Sequence, residues 1–420
     1  MANSFEHISV IGLGYVGLPT AAVMANRGIK ITGVDSNAST VERINRGEAH
    51  IVEPGLDILV RNAVSAGNLT AVNLPEPAEA FIIAVPTPLN ADNTPGLGYL
   101  EKAVADLAPV LEKGNLVILE STSPVGTTTK LAGWLADARP DLKFPISDPM
   151  GDVTVPDVNI AYSPERVLPG RVLIELVDND RVIGGLTAAC SARATALYKQ
   201  FVEGECLTTS ATTAELVKLA ENAYRDTNIA FANELSLIGD AAGVDVWEVI
   251  ELANRHPRVD ILKPGPGVGG HCIAIDPWFI VHAAPELTPL IQAARGVNDA
   301  KPAHIARRAA AGLGAGDARP IACLGLAYKA NIDDLRESPA ITVVRELSAL
   351  TDRKLLLVEP HIDALPDTLA DIPSAILCDL EDALSKAGTV ILLTDHGAFK
   401  AIEKSRLADK VVIDTRGMWR

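Results

Sequence analysis

HISVIGLGYVGLPTAAVMANRGIKITGVD, residues 7–35, runs as an apolar strand, a glycine-rich turn, an apolar helix and a second apolar strand that ends in an acid. Each part of that order has a physical purpose. Gly12 permits the tight turn out of the strand. Gly14 lets a pyrophosphate approach the helix N-terminus, and Gly17 allows the helix to pack closely on the strand. Tyr15 and Val16 complete the turn. Asp35 ends the second strand, where a carboxylate accepts hydrogen bonds from an adenosine ribose and repels a 2′-phosphate, so NAD is expected rather than NADP. A purely structural tight turn is the alternative reading of the same glycines.

Outward from this unit the alternation continues. FIIAVPTP (81–88), LVILESTSP (116–124) and NIAYSPE (159–165) read as further buried strands, separated by helical stretches such as 98–112. Strands alternating with helices imply a parallel, doubly wound sheet whose ligands sit beyond the carboxyl ends of its strands. Thr87, Ser121, Thr122 and Glu165 fall at those ends. Residues 143–158, rich in proline, read as a surface excursion. From about 212 the pattern becomes helical, and Thr212 and Glu215 have capping-box spacing. One helix over roughly 213–241 would be about 40 Å long and suits a connecting or dimer-forming role. The strand–helix alternation returns after about 315 in PIACLGLAYK, KLLLVEP, TVILLTD and VVIDTR. The expected fold is therefore α/β, with two Rossmann-like doubly wound domains bridged by a central helical segment with one long helix. The expected boundaries are 1–210, 211–312 and 313–420.

Composition narrows the functional classes. A chain of 420 residues exceeds one ordinary core, and 48% hydrophobic with 21% charged residues is a balance typical of soluble proteins. No apolar run approaches the roughly 18 residues of a membrane helix, and MANSFEH lacks the layout of a signal peptide. The five cysteines include no CxxC pair, which points to no metal site, no disulfide framework and a reducing cytoplasm. A net charge of −16 disfavours nucleic acid as a partner.

PGPGVGGHCIAIDP, residues 264–277, carries the reactive candidate. Gly265, Gly267, Gly269 and Gly270 would let the loop press its peptide groups against a ligand, and a deprotonated Cys272 could attack that ligand. Read alone, Cys272 could equally be a small buried hydrophobe. Asp276 precedes Pro277 and an apolar run, so it either caps a helix or serves Cys272. Lys218 and Asn222 lie four apart on one helix face, where an ammonium and an amide could hold a reacting oxygen or simply form a solvated stripe. Glu165 and Arg166 could form a strand-end ion pair. Arg258, Lys263, Lys329 and Arg336 could jointly supply the positive site that a nucleotide diphosphate needs.

Together these motifs resemble the UDP-sugar 6-dehydrogenases, the family that oxidises UDP-glucose and UDP-N-acetylhexosamines. The resemblance runs through GLGYVGLP, VPTP, ESTSPVGTT, SPERVLPG, ELVKLAENAYRDTNIAFANEL, GPGVGGHCIAIDP and LAYKANIDDLRESPA. It implies two hydride transfers to NAD from the sugar C6, with a Cys272 thiohemiacetal between them and a Cys272 thioester, hydrolysed by water, after the second. Lys218 and Asn222 would stabilise the C6 oxygen, while Glu165, Thr122 and Asp276 would manage protons and position water. Arg258, Lys263 and Lys329 would hold the nucleotide sugar, with Arg166 and Gly269 beside it, and Arg336, Thr87 and Thr122 would reach the cofactor. ERVLPG, LANRHPRV, GPGVGGHCIA and the ending VVIDTRGMWR resemble most the members acting on UDP-N-acetyl-D-mannosamine, for surface polysaccharide, with the gluco epimer as the alternative. Pro169 stands where UDP-glucose dehydrogenases commonly carry a second glutamate, which argues against glucose. The resemblance also implies a homodimer built on the long helix. A nucleotide-sugar or NAD sensor without catalysis is the reading of a different class, and retention of Cys272, Lys218 and Asn222 argues against it.

Overall fold

A computed structural model describes residues 4–146, 155–270, 272–314 and 317–420. The chain separates into two compact units, Met1–Ala220 with Trp278–Ala283, and Glu221–Pro277 with Ala284–Arg420.

The first unit contains β1 (His7–Ile11), α1 (Gly17–Asn26), β2 (Lys30–Val34), α2 (Ala38–Asn45), α3 (Leu56–Ser65), β3 (Leu69–Val72), β4 (Ala80–Ile83) and α4 (Gly98–Leu107). It continues with β5 (Leu116–Leu119), α5 (Thr127–Ala138), β6 (Asn159–Tyr162), α6 (Val172–Asp178), β7 (Arg181–Gly185), α7 (Ala188–Tyr198) and β8 (Cys206–Ser210). The strands form one eight-stranded sheet in the order β3-β2-β1-β4-β5-β6-β7-β8. Ile8, Val10, Ile82 and Ile118 pack into one core, while Ile11, Ile83, Val117 and Leu119 pack into another, so both faces are covered. That is why the strands read as continuous apolar runs rather than alternating ones.

The sheet departs from the expected parallel order at one pair. β6 and β7 run antiparallel, pairing Ala161 with Gly185 and Tyr162 with Gly184. Because β7 starts beside the end of β6, the connection through residues 163–180 stays at the carboxyl edge of the sheet. That edge therefore keeps Glu165 and Arg166. The strands β3, β7 and β8 escaped the sequence reading because LTAV, RVIGG and CLTTS are short or polar. Half of the expected excursion at 143–158, residues 147–154, lies outside the described residues, and at its base Asp157 N donates to Lys143 O at 2.8 Å.

The helix α8 (Ala211–Ala242) spans 32 residues, followed by α9 (Val246–Ala253), α10 (Asp276–Ala283) and α11 (Pro289–Ala311). The expected capping box at Thr212 and Glu215 does not form. Ser210 Oγ instead accepts from Thr213 N at 3.1 Å. Glu215 points into the first unit, where it accepts from Gly126 N at 2.6 Å and from Thr128 N and Oγ1 at 2.7 and 2.6 Å. It thereby caps α5, although burial pushes its pKa up. The second unit then adds β9 (Ile321–Leu324), α12 (Pro339–Leu350), β10 (Leu355–Val358), β11 (Ala375–Leu377), α13 (Leu380–Lys386), β12 (Thr389–Leu392), α14 (Gly397–Lys400) and β13 (Val411–Asp414). Its parallel sheet has the order β11-β10-β9-β12-β13, with separate cores on its two faces.

Candidate active site

The turn between β1 and α1 has the shape a dinucleotide requires. Gly12 has φ +92°, which a side chain would strain. A Cβ at Gly17 would lie 1.8 Å from Gly12 O, whereas one at Gly14 would meet no atom within 4 Å. The first and third glycines are thus forced by the chain's own packing, and the second leaves room on the side from which a pyrophosphate approaches. Asp35 Oδ2 accepts from Leu13 N at 3.1 Å and Oδ1 from Asn37 N at 2.9 Å, which fixes the carboxylate beside the turn. These residues fit NAD. Tyr15 is exposed, and Val16 sits immediately before α1.

Next to this turn, the ends of β4 and β5 are laced together. Thr87 Oγ1 donates to Thr122 O at 2.6 Å, and Ser121 Oγ donates to Val85 O at 2.7 Å. Beyond β6, the buried Glu165 turns its Oε2 back to Val167 N at 2.7 Å, and its carbonyl accepts from Lys218 Nζ at 2.7 Å. Arg166 Nη2 donates to Asp180 O. Glu53, which nothing in the sequence singled out, accepts from Gly170 N and Val172 N at 2.8 Å each. This long-range contact anchors the loop that holds Pro169 and caps α6.

In the second unit, the glycines of the loop around Cys272 have a packing reason of their own. Its glycines face the protein rather than open space. A Cβ at Gly269 would lie 2.6 Å from Glu337 O and 2.6 Å from Pro339 Cδ. Gly270 has φ +83°, and a Cβ there would meet the Tyr328 ring at 2.9 Å. Gly267 abuts Pro339 and Asn298 O, and Gly265 lies against the Arg416 guanidinium. The glycine run is needed because residues 267–270 dock onto the segment 328–339, so two motifs far apart in sequence form one body. The half-buried Cys272 follows, and its carbonyl accepts from Ile275 N and Asp276 N at 3.0 and 2.9 Å. Asp276 opens α10, is 2% exposed, and accepts at Oδ2 from the buried Asn222 Nδ2 at 2.5 Å.

Lys329 lies in that docked segment, half-buried, and the backbone around it is pinned from below. Glu359 Oε2 accepts from Leu326 N at 2.7 Å, Ala327 N at 3.0 Å and His396 Nε2 at 3.0 Å. Burial opposes ionisation of Glu359, but these hydrogen bonds outweigh it and hold the carboxyl below its ordinary range. His396 Nδ1 accepts from Asn331 N at 2.9 Å, so both ring nitrogens are used within the protein. Among the described residues Glu359, His361 and His396 are close enough to share an ion, although the Glu359 and His396 side chains are already engaged by hydrogen bonds within the protein. Arg336 is held in a fork by Asp334, with contacts of 2.9 and 2.6 Å. Arg258 and Lys263 are exposed on the segment after α9, where Asn254 clamps Ile261 through bonds of 3.0 and 2.7 Å. Arg416, which the sequence reading passed over, contacts the cysteine loop while its Nε and Nη2 donate to Asp395 at 3.0 and 2.8 Å.

Comparison with known proteins agrees with this geometry. Three models of the UDP-glucose/GDP-mannose dehydrogenase family match in order: the NAD binding domain over residues 6–202, the central domain over 212–300 and the UDP binding domain over 322–420. The chain is 56% identical to a UDP-N-acetyl-D-mannosamine dehydrogenase of Yersinia pestis, covering 99% of this chain and 100% of that one. It is also 56% identical to an NDP-N-acetyl-D-galactosaminuronic acid dehydrogenase of Ralstonia solanacearum, over 99% of this chain and 96% of the other. The solved structure of a UDP-D-ManNAc dehydrogenase from Pyrococcus horikoshii superimposes with a TM-score of 0.87 at 38% identity, covering 99% and 96% of the two chains. A dinucleotide turn, a cysteine loop docked onto a second nucleotide-type fold, and these matches along the whole chain have one meaning: the protein belongs to the UDP-glucose/GDP-mannose dehydrogenase family.

Proposed function

We propose that the protein oxidises the C6 alcohol of UDP-N-acetyl-D-mannosamine to the uronate, as a step in surface polysaccharide synthesis. The observation that carries the reading is the buried hydrogen bond from Asn222 to Asp276, four residues beyond Cys272. It joins the helix that carries Lys218 to the residue four positions after Cys272, so an amide and a carboxylate are held at the end of the thiol's own loop, groups that an acyl-transfer site uses. The substrate is taken from the relative in Yersinia pestis, whose name specifies that sugar.

When bound, NAD+ accepts a hydride from C6 in each of two successive oxidations. Gly14 would leave room for its pyrophosphate in the turn that Gly12 and Gly17 allow, Tyr15 and Val16 would line that turn, Asp35 would hold its ribose, and Thr87, Thr122 and Arg336 would complete its site. Lys218 Nζ and Asn222 Nδ2, one helical turn apart on α8, hold the sugar's C6 oxygen while it carries negative charge. After the first oxidation the Cys272 thiolate bonds to the aldehyde carbon, and that oxygen takes up a proton. The second oxidation leaves a thioester. Water positioned by Glu165, Thr122 and Asp276 then adds to C6 and releases the thiolate. Overall, one alcohol, two NAD+ and one water give one carboxylate, two NADH and three protons. Arg166, Arg258, Lys263, Gly269 and Lys329 hold the nucleotide sugar.

The same proposal divides the chain at 210 and 312, into cofactor, central and nucleotide-sugar domains. It also pairs two copies through α8, where Tyr224, Phe231 and Ile238 recur every seven residues at 69%, 53% and 55% exposure. No helix of the described residues is long and apolar enough to cross a membrane. We infer a cytoplasmic enzyme from the dinucleotide cofactor it uses.

The equal identity to the Ralstonia solanacearum relative favours the galacto sugar as the second reading. Purified protein is incubated with NAD+ and the UDP-linked manno, gluco or galacto N-acetylhexosamine, with NADH followed by absorbance. Uronate from the manno sugar alone supports the proposal. Turnover of only another epimer overturns the substrate, and turnover of none favours a sensor.

A further inference from the structure

The geometry points to Asn233 as a positioning residue for Cys272, acting through the backbone of Gly265. This rests on Cys272 being the nucleophile. Asn233 is fully buried on α8, eleven residues beyond Asn222. Eleven residues make about three helical turns, so the two asparagines share one face some 16 Å apart. Asn222 holds the cysteine loop at its end, through Asp276. Asn233 holds its start, because Asn233 Oδ1 accepts from Gly265 N at 2.9 Å. Between Gly265 and Asp276 the described chain forms no helix or strand of its own, so these two amides clamp the loop to α8.

The orientation of Asn233 is set by a buried chain of polar groups running to α11. Asn233 Nδ2 donates to Asn298 Oδ1 at 2.8 Å, and Asn298 Nδ2 donates to Asp226 Oδ1 at 2.8 Å. Arg295 Nη1 donates to the same Asp226 oxygen at 2.6 Å. Asn298, Asp226 and Arg295 are at most 3% exposed. An ionised carboxylate only accepts, so Asp226 must face the Asn298 amino group. That turns Asn298 Oδ1 toward Asn233, which turns Asn233 Oδ1 toward Gly265 N. Each amide has one orientation that satisfies its neighbours, and the direction is dictated by a charge at the far end. Ser236 Oγ donates to Asn233 O at 2.6 Å and accepts from Lys301 Nζ, fixing the helix backbone at the same point. The Asn298 carbonyl also lies against Gly267, so α11 touches the loop directly.

Gly265 N–H therefore has a fixed partner where a glycine-rich loop would otherwise sample many conformations. Losing the clamp costs accuracy at sulfur more than affinity for the nucleotide, because displacement of a reacting group by about 1 Å can cost on the order of 100-fold in rate.

The test compares Asn233→Ala, Asn298→Ala and Cys272→Ala with wild type in the full-length enzyme, using the accepted UDP-sugar, NAD+ and semicarbazide as an aldehyde trap. The measured quantities are kcat, KM, NADH per sugar and the semicarbazone-to-uronate ratio. In Asn233→Ala, kcat for uronate should fall about 10- to 100-fold with KM within about threefold. NADH per sugar should drop below two as the aldehyde escapes into semicarbazone. Asn298→Ala, which leaves Asn233 in place, should move the same quantities in the same direction and serves if the first variant does not fold. Wild-type kcat and product ratio in the folded variants, or a change in KM alone, overturns the positioning role. Uronate formation by Cys272→Ala would instead refute the nucleophile itself, a failure distinguishable because it leaves the wild-type clamp intact.

Discussion

Asn222 Nδ2 lies 2.5 Å from Asp276 Oδ2, with both side chains buried, so the long helix α8 is joined to the residue that opens α10 directly after the cysteine turn. Replacing this amide with a second carboxylate should be worse than removing it. In Asn222→Asp, two buried carboxyl groups would face each other at hydrogen-bond distance, and one must take up a proton. We expect kcat to fall more than about 100-fold at pH 8 and to recover partly as pH drops and the pair shares a proton. Asn222→Ala should be impaired without that acid recovery. The pH–rate profiles of the two variants check this.

The two glycines Gly14 and Gly17 should separate binding from folding. An alanine at 17 drives Cβ into Gly12 O, while one at 14 meets nothing in the protein. Gly17→Ala should therefore lower Tm sharply or yield insoluble protein. Gly14→Ala should melt like wild type yet raise KM for NAD about tenfold or more, since the lost space is the cofactor's. Thermal melts beside NAD titrations decide it.

Lys301 supplies a pH test of the α8–α11 contact. Burial pushes its pKa down to about 8, partly offset by Asp240. A lysine that loses its proton more readily when folded is destabilising while charged. That penalty is complete below about pH 8 and fades as pH rises towards its unfolded value of 10.5. Lys301→Met should raise Tm at pH 7, and its advantage should shrink by pH 10. An advantage independent of pH would assign the gain to packing alone.

Arg181 and Glu120 form a buried ion pair at 3.0 Å, with Tyr198 OH donating to the same Glu120 oxygen at 3.0 Å. Removing one partner strands the other charge. Arg181→Met should cost roughly 3–5 kcal/mol. Adding Glu120→Met should recover much of the loss, as urea melts of the single and double variants would register.

Phe231 tests the pairing of two copies. It is 53% exposed, the middle of the three apolar residues spaced seven apart on α8. Phe231→Glu would place a charge in the centre of that face and should convert a dimer to monomer in light scattering at micromolar concentration, leaving the monomer's secondary structure intact by circular dichroism.

The sequence by itself determined the elements whose signal is local. Gly12, Gly14, Gly17 and Asp35 announced a strand–turn–helix–strand unit because each residue's task is set within about thirty positions of chain. The long central helix and the longer apolar strands of both sheets were legible for the same reason. Only the tertiary structure decided what depends on contacts between distant segments. It reversed β7, because strand direction is set by where the connection travels, and no periodicity records that. Glu215 was turned from a local cap into a partner for α5, since backbone N–H groups elsewhere offered its buried carboxylate more bonds. The glycines at 269 and 270 are required by Glu337, Pro339 and Tyr328, against which they pack. Glu53, Asp226, Asn233 and Arg416 gave no sign in the sequence, because a polar residue's role lies in the partner it meets, and folding chooses that partner.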